Sequence, residues 1–150
     1  MKKMAGFTLV ELMIVVATIG LLSVIAIPNF LKMQCKSKQA EAKMNLAGIY
    51  MAEIAYFSEQ STYAGGDNAF NTMGWEPESV YTTRYAYLIA DDIYTPLKPP
   101  PSFPTVSCDV TQTSFTALAA GNIDNDLYID VWSVNNSRIF DSPESDLARD

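Results

Sequence analysis

The sequence predicts an α+β fold: one long N-terminal helix, part membrane anchor and part amphipathic, packed on a small antiparallel sheet. Three observations predict it. An apolar run of 21 residues fills positions 7–27, with Glu11 as its sole charge. Good helix formers then continue without proline through residues 29–58, broken only by Gly48. Beyond residue 84 the texture changes to short aromatic and branched runs set between turns. With 150 residues, the chain has room for one membrane helix and one small domain.

The apolar run starts abruptly after a short leader, residues 1–6, that ends in Gly6. Its length matches the ~20 residues that a helix needs to cross hydrocarbon. Lys2 and Lys3 precede it and are expected to stay in the cytoplasm, which puts everything past the anchor outside the inner membrane. An ordinary secretory signal is cut after its apolar segment and the segment is lost. Here the candidate cut lies before it, between Gly6 and Phe7, so the mature chain keeps its anchor at the front. A carboxylate in hydrocarbon is costly and is usually retained for function, which singles out Glu11. Gly20 and Pro28 fall within or at the end of the anchor and predict a kink or a locally weak stretch.

In residues 29–58, Cys35, Ala42, Leu46, Ile49 and Phe57 share one face at ~100° per residue, and that face is expected to pack on a domain. Glu53 falls on the same face and breaks its apolar character. One helix from residue 7 to about residue 58 would run roughly 75 Å at about 1.5 Å per residue. Phe7, Phe30, Tyr50, Tyr56, Phe57 and Tyr63 along and just after it read as packing residues.

Residues 59–150 form the expected globular head. Residues 61–84 are a turn-rich loop punctuated by Gly65, Gly66, Gly74 and Pro77. Residues 84–90 (RYAYLIA) predict a strand, and the proline-rich LKPPPSFP at 97–104 predicts an extended surface loop. A strand is expected to start at residues 108–110. Residues 114–120 and 128–134 predict an antiparallel pair joined by GNIDNDL. The tail DSPESDLARD is polar and expected to fray. Three or four strands across the helix would bury both apolar faces.

Charge and composition exclude several functions. Beyond residue 43 only Arg84, Lys98, Arg138 and Arg149 oppose fifteen acids, a net charge of −11. Direct nucleic-acid binding by that region is not expected, since phosphate neutralisation needs clustered Lys and Arg. Lys32, Lys36, Lys38 and Lys43, just past the anchor, suit either anionic lipid headgroups or a solvated helix face. The chain has no histidine and two cysteines, so most metal-ligand and nucleophilic patterns are missing and no enzyme is expected. Cys35 on the inward face and Cys108 after the proline loop invite a disulfide outside the inner membrane; buried thiols or an intersubunit bond are the alternatives. Asp124, Asp126 and Asp130, with Asn122 and Asn125, place oxygens at alternating positions as Ca²⁺ loops do. Such Asx-rich segments are first of all good turns, and the terminal glutamate of the full loop pattern is missing, so no cofactor is expected.

The head GFTLVELMIVVATIG, with AIPNF and KSKQAEAKMNL after it, resembles the type IV pilins, and more specifically those of deltaproteobacteria and the type IVa-like major subunits. That resemblance implies the pilin fold and a helical filament of identical subunits serving motility, adhesion or DNA uptake. It implies that Gly6 is needed by a prepilin peptidase, that Phe7 becomes an N-methylated amino terminus, and that Glu11 is the assembly carboxylate. It further implies residence in the inner membrane before assembly and in an extracellular pilus afterwards, driven by an inner-membrane platform and its ATPases. Pilins more often bridge two cysteines near the C-terminus, which Cys35 and Cys108 do not fit. A type II secretion pseudopilin or a minor pilin would share the head, and the calcium loop of pseudopilins keeps the aspartate cluster in view. A bitopic membrane protein would instead keep Lys2 and Lys3 on the mature chain.

Overall fold

The computed structural model describes residues 6–77, 83–97, 108–124 and 128–144. Its first element is α1 (Leu9–Gln60), unbroken through Gly20 and Pro28. Two compact units divide the chain, residues 1–34 and residues 35–150. In the first, the helix is exposed on all sides: Leu9, Leu12, Ile14, Val16, Leu21, Ile25 and Phe30 all lie open. It is also long and apolar enough to cross a membrane.

The second unit contains the core. From α1 it buries Ala42, Leu46, Ile49 and Glu53 of the face that the helical spacing predicts, and adds Gln39, while Cys35 and Phe57 of that face are half-buried. A short helix α2 (Ala69–Thr72) interrupts the turn-rich segment. Five strands follow: β1 (Tyr85–Ile89), β2 (Asp92–Tyr94), β3 (Thr116–Gly121), β4 (Asp130–Asn135) and β5 (Phe140–Glu144). They form one antiparallel sheet in the order β2-β1-β3-β4-β5. The β3–β4 pair is the expected hairpin, in register from Thr116 opposite Asn135 to Gly121 opposite Asp130.

The sheet is wider than the sequence predicts, and each difference has a local cause. Ala90 takes φ 49°, which turns β1 back on itself so that Asp92–Tyr94 adds an edge strand. Arg138 takes φ 57°, and the Asn135 side chain accepts the Ser137 and Ile139 amides, so β4 folds back into β5. The start of the polar tail therefore pairs with β4 rather than fraying. The expected strand at 108–110 is reduced to one bridge, Val110 to Phe115. Most of the proline-rich segment lies outside the described residues.

Tyr85, Tyr87 and Ile89 of β1 and Ala117 and Ala119 of β3 alternate into the cluster that meets α1. The small residues on the central strand leave room for the rings beside them. Gly121 stands opposite Tyr85, and a Cβ there would come within 2.8 Å of that ring.

Candidate functional site

At the head of α1, Thr8 and Glu11 close a reciprocal cap. The Thr8 amide and hydroxyl donate to Glu11 Oε2 at 2.8 and 2.7 Å, and the Glu11 amide donates to Thr8 Oγ1 at 3.3 Å. This T-x-x-E box satisfies helix-start donors that hydrocarbon would leave bare. The positive end of the helix dipole also favours the carboxylate there. The T-x-x-E spacing was available in the sequence, so Thr8 is a residue that motif reading could have found and did not. Phe7 is 82% exposed just before it, and Gly6 is exposed too. Farther along, the Thr18 and Ser23 hydroxyls donate back to the Val15 and Ile19 carbonyls, so these polar groups also need no outside partner.

The second unit uses its polar residues differently. Asp130 is buried, and both its oxygens are taken: Oδ1 accepts from Gln39 Nε2 at 2.8 Å, and Oδ2 from the Tyr85 hydroxyl at 2.7 Å and Trp132 Nε1 at 2.6 Å. One carboxylate thus ties the helix to β1 and β4. Burial, with Asp130 alongside, pushes the Tyr85 hydroxyl far above its ordinary value, so it stays a donor. Of the other calcium candidates, Asp124 is exposed and Asp126 lies outside the described residues. Among the described residues, no three His, Cys, Asp or Glu side chains gather as a metal site.

Two of the four lysines past the anchor engage the sheet side, Lys38 half-buried and Lys43 while still exposed. Lys38 Nζ donates to the Ile123 carbonyl, and Lys43 sits 4.1 Å from the centre of the Trp132 ring. Lys32 and Lys36 are exposed.

Cys35 packs against the core cluster, and Cys108 is half-buried with its thiol donating to the Ala90 carbonyl at 3.2 Å. Of the alternatives that the sequence leaves open for this pair, the structure carries two partly buried thiols. Burial pushes the Cys108 thiol up, and Asp109 and Asp91 add to this, which keeps it from the reactive thiolate form.

Glu53 is fully buried in α1. Its Oε2 accepts the Ala64 amide at 2.9 Å, which pins the chain just after the helix ends. Its Oε1 has no hydrogen-bond partner among the described residues. Burial pushes the carboxyl up to about 7, against the lowering pull of the Ala64 amide.

The family model for the prokaryotic N-terminal methylation motif matches residues 1–27, which take in Gly6, Phe7 and Glu11. That motif therefore lies on the exposed apolar part of α1, ahead of an α+β unit of the pilin type. Relatives extend the likeness past residue 27. Over 85 residues the chain is 51% identical to the type IV major pilin protein PilA of Myxococcus xanthus, covering 57% of this chain and 36% of that one. Also over 85 residues, it is 29% identical to the type II secretion system core protein G of Vibrio cholerae, 57% of this chain and 58% of that one. The match to the type IV narrow pilus major component PilA5 of Thermus thermophilus is 28% over 116 residues, 77% and 88% of the two chains. The chain thus spans about a third of the Myxococcus protein and under three fifths of the Vibrio protein.

Proposed function

We propose that this chain is a major pilin: the structural, non-catalytic subunit of a type IV pilus. The observation that carries the reading is an apolar helix exposed on every side, with one carboxylate at its N-terminal cap and a Gly6–Phe7 junction just before it. Residues 1–6 are the leader, removed by a prepilin peptidase, and Phe7 becomes the new, methylated amino terminus. Residues 7–28 anchor the subunit in the inner membrane with the C-terminus outside, and later line the filament core. Residues 29–58 carry the globular head of residues 59–150 on the same helix.

Assembly follows from the cost of the exposed helix. Out of lipid, residues 7–27 are stable only when bundled with copies of themselves. The Phe7 amine of one subunit and the Glu11 carboxylate of its neighbour can offset each other's desolvation, and a wrong register leaves both charges unpaired. The pair therefore fixes alignment more than it adds affinity. The platform and ATPases that move the fibre are partners on this reading, and no cofactor takes part.

The likeness to a type II secretion protein supports a second reading, a short periplasmic pseudopilus. Mass spectrometry of fibres sheared from cells separates the two. A major pilin appears there as a chain starting at methylated Phe7. Absence from the sheared fraction, with folding that needs calcium, would favour the pseudopilin. A purified chain still starting at Met1 would defeat both.

A further inference from the structure

The second unit, residues 35–150, holds a cavity that neither the fold nor the filament reading uses. It measures about 300 Å³ and is lined by Phe70, Asn71, Gly74, Trp75, Glu76 and Tyr94. That volume is at the small end of ligand pockets, room for one compact group rather than a polymer segment. Three rings wall it. Trp75 and Tyr94 lie 6.1 Å apart at 79°, Phe70 and Tyr94 6.3 Å apart at 86°, and Phe70 and Trp75 5.2 Å apart at 42°. Trp75 and Tyr94, nearly perpendicular to each other, are only part-buried and can offer ring surface to a ligand, while Phe70, 5% exposed, backs them.

The walls are fixed in advance. The Phe70 amide donates to Asp92 Oδ2 at 2.9 Å, which ties α2 to β2. The Trp75 amide donates to the Phe70 carbonyl at 2.9 Å, and Gly74 supplies the positive φ of 68° that this turn needs. Trp75 is seated from below by Gly48, where a Cβ would stand 2.9 Å from the indole nitrogen. It also meets Tyr87 edge-on at 5.3 Å.

The charge of the lining decides the class of ligand. Glu76 is the one ionisable group among the acidic and basic lining residues, and it is exposed at the pocket. Beyond residue 43 the sequence carries a net charge of −11, so the surrounding field attracts cations. We propose that the pocket binds a small alkylated ammonium ion of the choline type, its methyl groups against Phe70, Trp75 and Tyr94 and its charge balanced by Glu76. Ring faces attract such an ion through their quadrupoles, and its methyl groups bury against them without leaving a donor unpaired. A saccharide fits less well, because its hydroxyls need a fan of donors and acceptors, and among the described residues the lining offers the side chains of Asn71 and Glu76 with the Tyr94 hydroxyl and the Trp75 indole N–H. The site does not depend on polymerisation, so its failure would leave the pilin reading intact, and the reverse.

The test uses the full chain in a polyoxyethylene detergent, which brings neither a sugar nor a choline headgroup. The indole N–H resonance of Trp75 is followed during titration with choline, with its uncharged isostere 3,3-dimethyl-1-butanol, and with methyl glucoside. Choline should shift that resonance saturably, with the isostere at least about tenfold weaker. Glu76→Gln, an exposed change, should weaken choline about fivefold or more and leave the isostere unaffected. Equal binding of choline and isostere, saturable binding of the glucoside in its place, or no saturable shift with choline would each overturn the proposal.

Discussion

The two halves of α1 solve opposite problems with one backbone. Across residues 9–33 the large apolar side chains are exposed, and the polar groups of Thr8, Glu11, Thr18 and Ser23 are satisfied inside the helix itself. Across residues 39–53 the buried face includes Gln39 and Glu53, whose polar atoms reach Asp130 on the sheet and Ala64 in the following loop. A segment that keeps its hydrogen bonds to itself can exchange lipid for protein without breaking any of them. A segment whose bonds cross to a sheet has one arrangement to lose. On the proposed pilin reading, the first half is the mobile one, which changes its surroundings, and the second is the fixed one, which keeps them.

The sharpest way to break this contrast is to remove the one charge of the mobile half. Glu11→Ala discards a costly carboxylate, so membrane insertion should be intact or improved. Alignment in the filament should fail, with surface fibres falling about tenfold or more as the desolvated Phe7 amine loses its partner. Immunoblots of sheared and membrane fractions would show it. Normal fibres from this variant would remove the assembly role.

Among the groups that hold the fixed half in place, the largest effect belongs to Asp130 of β4. Replacing it with alanine strands the Gln39, Tyr85 and Trp132 donors in the core, at a cost of about 3–5 kcal/mol in unfolding free energy. Asp130→Asn keeps one acceptor and should lose less. If the residue were instead a calcium ligand, a chelator would reproduce the loss in the unchanged protein. Denaturant titration with and without chelator distinguishes the two outcomes, and the expectation is no chelator effect.

Which parts of this were legible in the sequence follows from the same contrast. The anchor, the long helix, the inward face of Ala42, Leu46 and Ile49, and the β3–β4 hairpin rest on periodicity, which a sequence displays directly. The edge strands β2 and β5 rest on single backbone turns at Ala90 and Arg138, residues whose side chains do not favour a positive φ. The run Asn135-Asn136-Ser137 is a local turn signal for the second, whereas Ala90 itself gives none for the first. Asp130 read as one of a cluster of acids because two of its three donors, Tyr85 and Gln39, lie 45 and 91 positions away, beyond any spacing rule. Glu53 looked like a flaw in an apolar stripe for the same reason: its partner is the amide of Ala64, made available by the turn at Ser61. At the head, the residues of the methylation motif were plain, and the reciprocal cap of Thr8 was legible though unread.

Glu53 sharpens the comparison through pH. Its carboxyl titrates near 7 in the folded chain against an ordinary 4.5. Between those values the folded state holds a proton that the unfolded state has released. Stability conferred by the protonated acid is therefore complete below about pH 4.5 and is lost as pH rises through 7, by about 3 kcal/mol in all. Glu53→Gln keeps an acceptor for the Ala64 amide and cannot ionise. Its unfolding free energy should be flatter across that range and exceed that of the unchanged chain above pH 7. Denaturant midpoints at pH 5 and pH 8 measure it, and parallel pH dependence in the two proteins would mean that another group titrates.

The smallest expected effect concerns the one glycine in the fixed half of the helix. By helix propensity alone, Gly48→Ala should stabilise by about 1 kcal/mol. The new Cβ, however, would stand 2.9 Å from Trp75 Nε1. That indole cannot simply swing aside, because it is packed against Phe70, Tyr87 and Tyr94. Overpacking at such a site costs about 1–3 kcal/mol, enough to cancel or reverse the gain. The net change should be zero to about 2 kcal/mol of destabilisation, with the Trp75 indole resonance displaced. Gly20, with nothing within 4 Å of the position its Cβ would take, is the control from the mobile half. Gly20→Ala should stiffen the isolated subunit's helix, seen as slower amide exchange there, with no cost in the head. A stabilised Gly48→Ala protein with an unmoved indole would show that the helix face at residue 48 is open, and that the seat assigned to Trp75 is wrong.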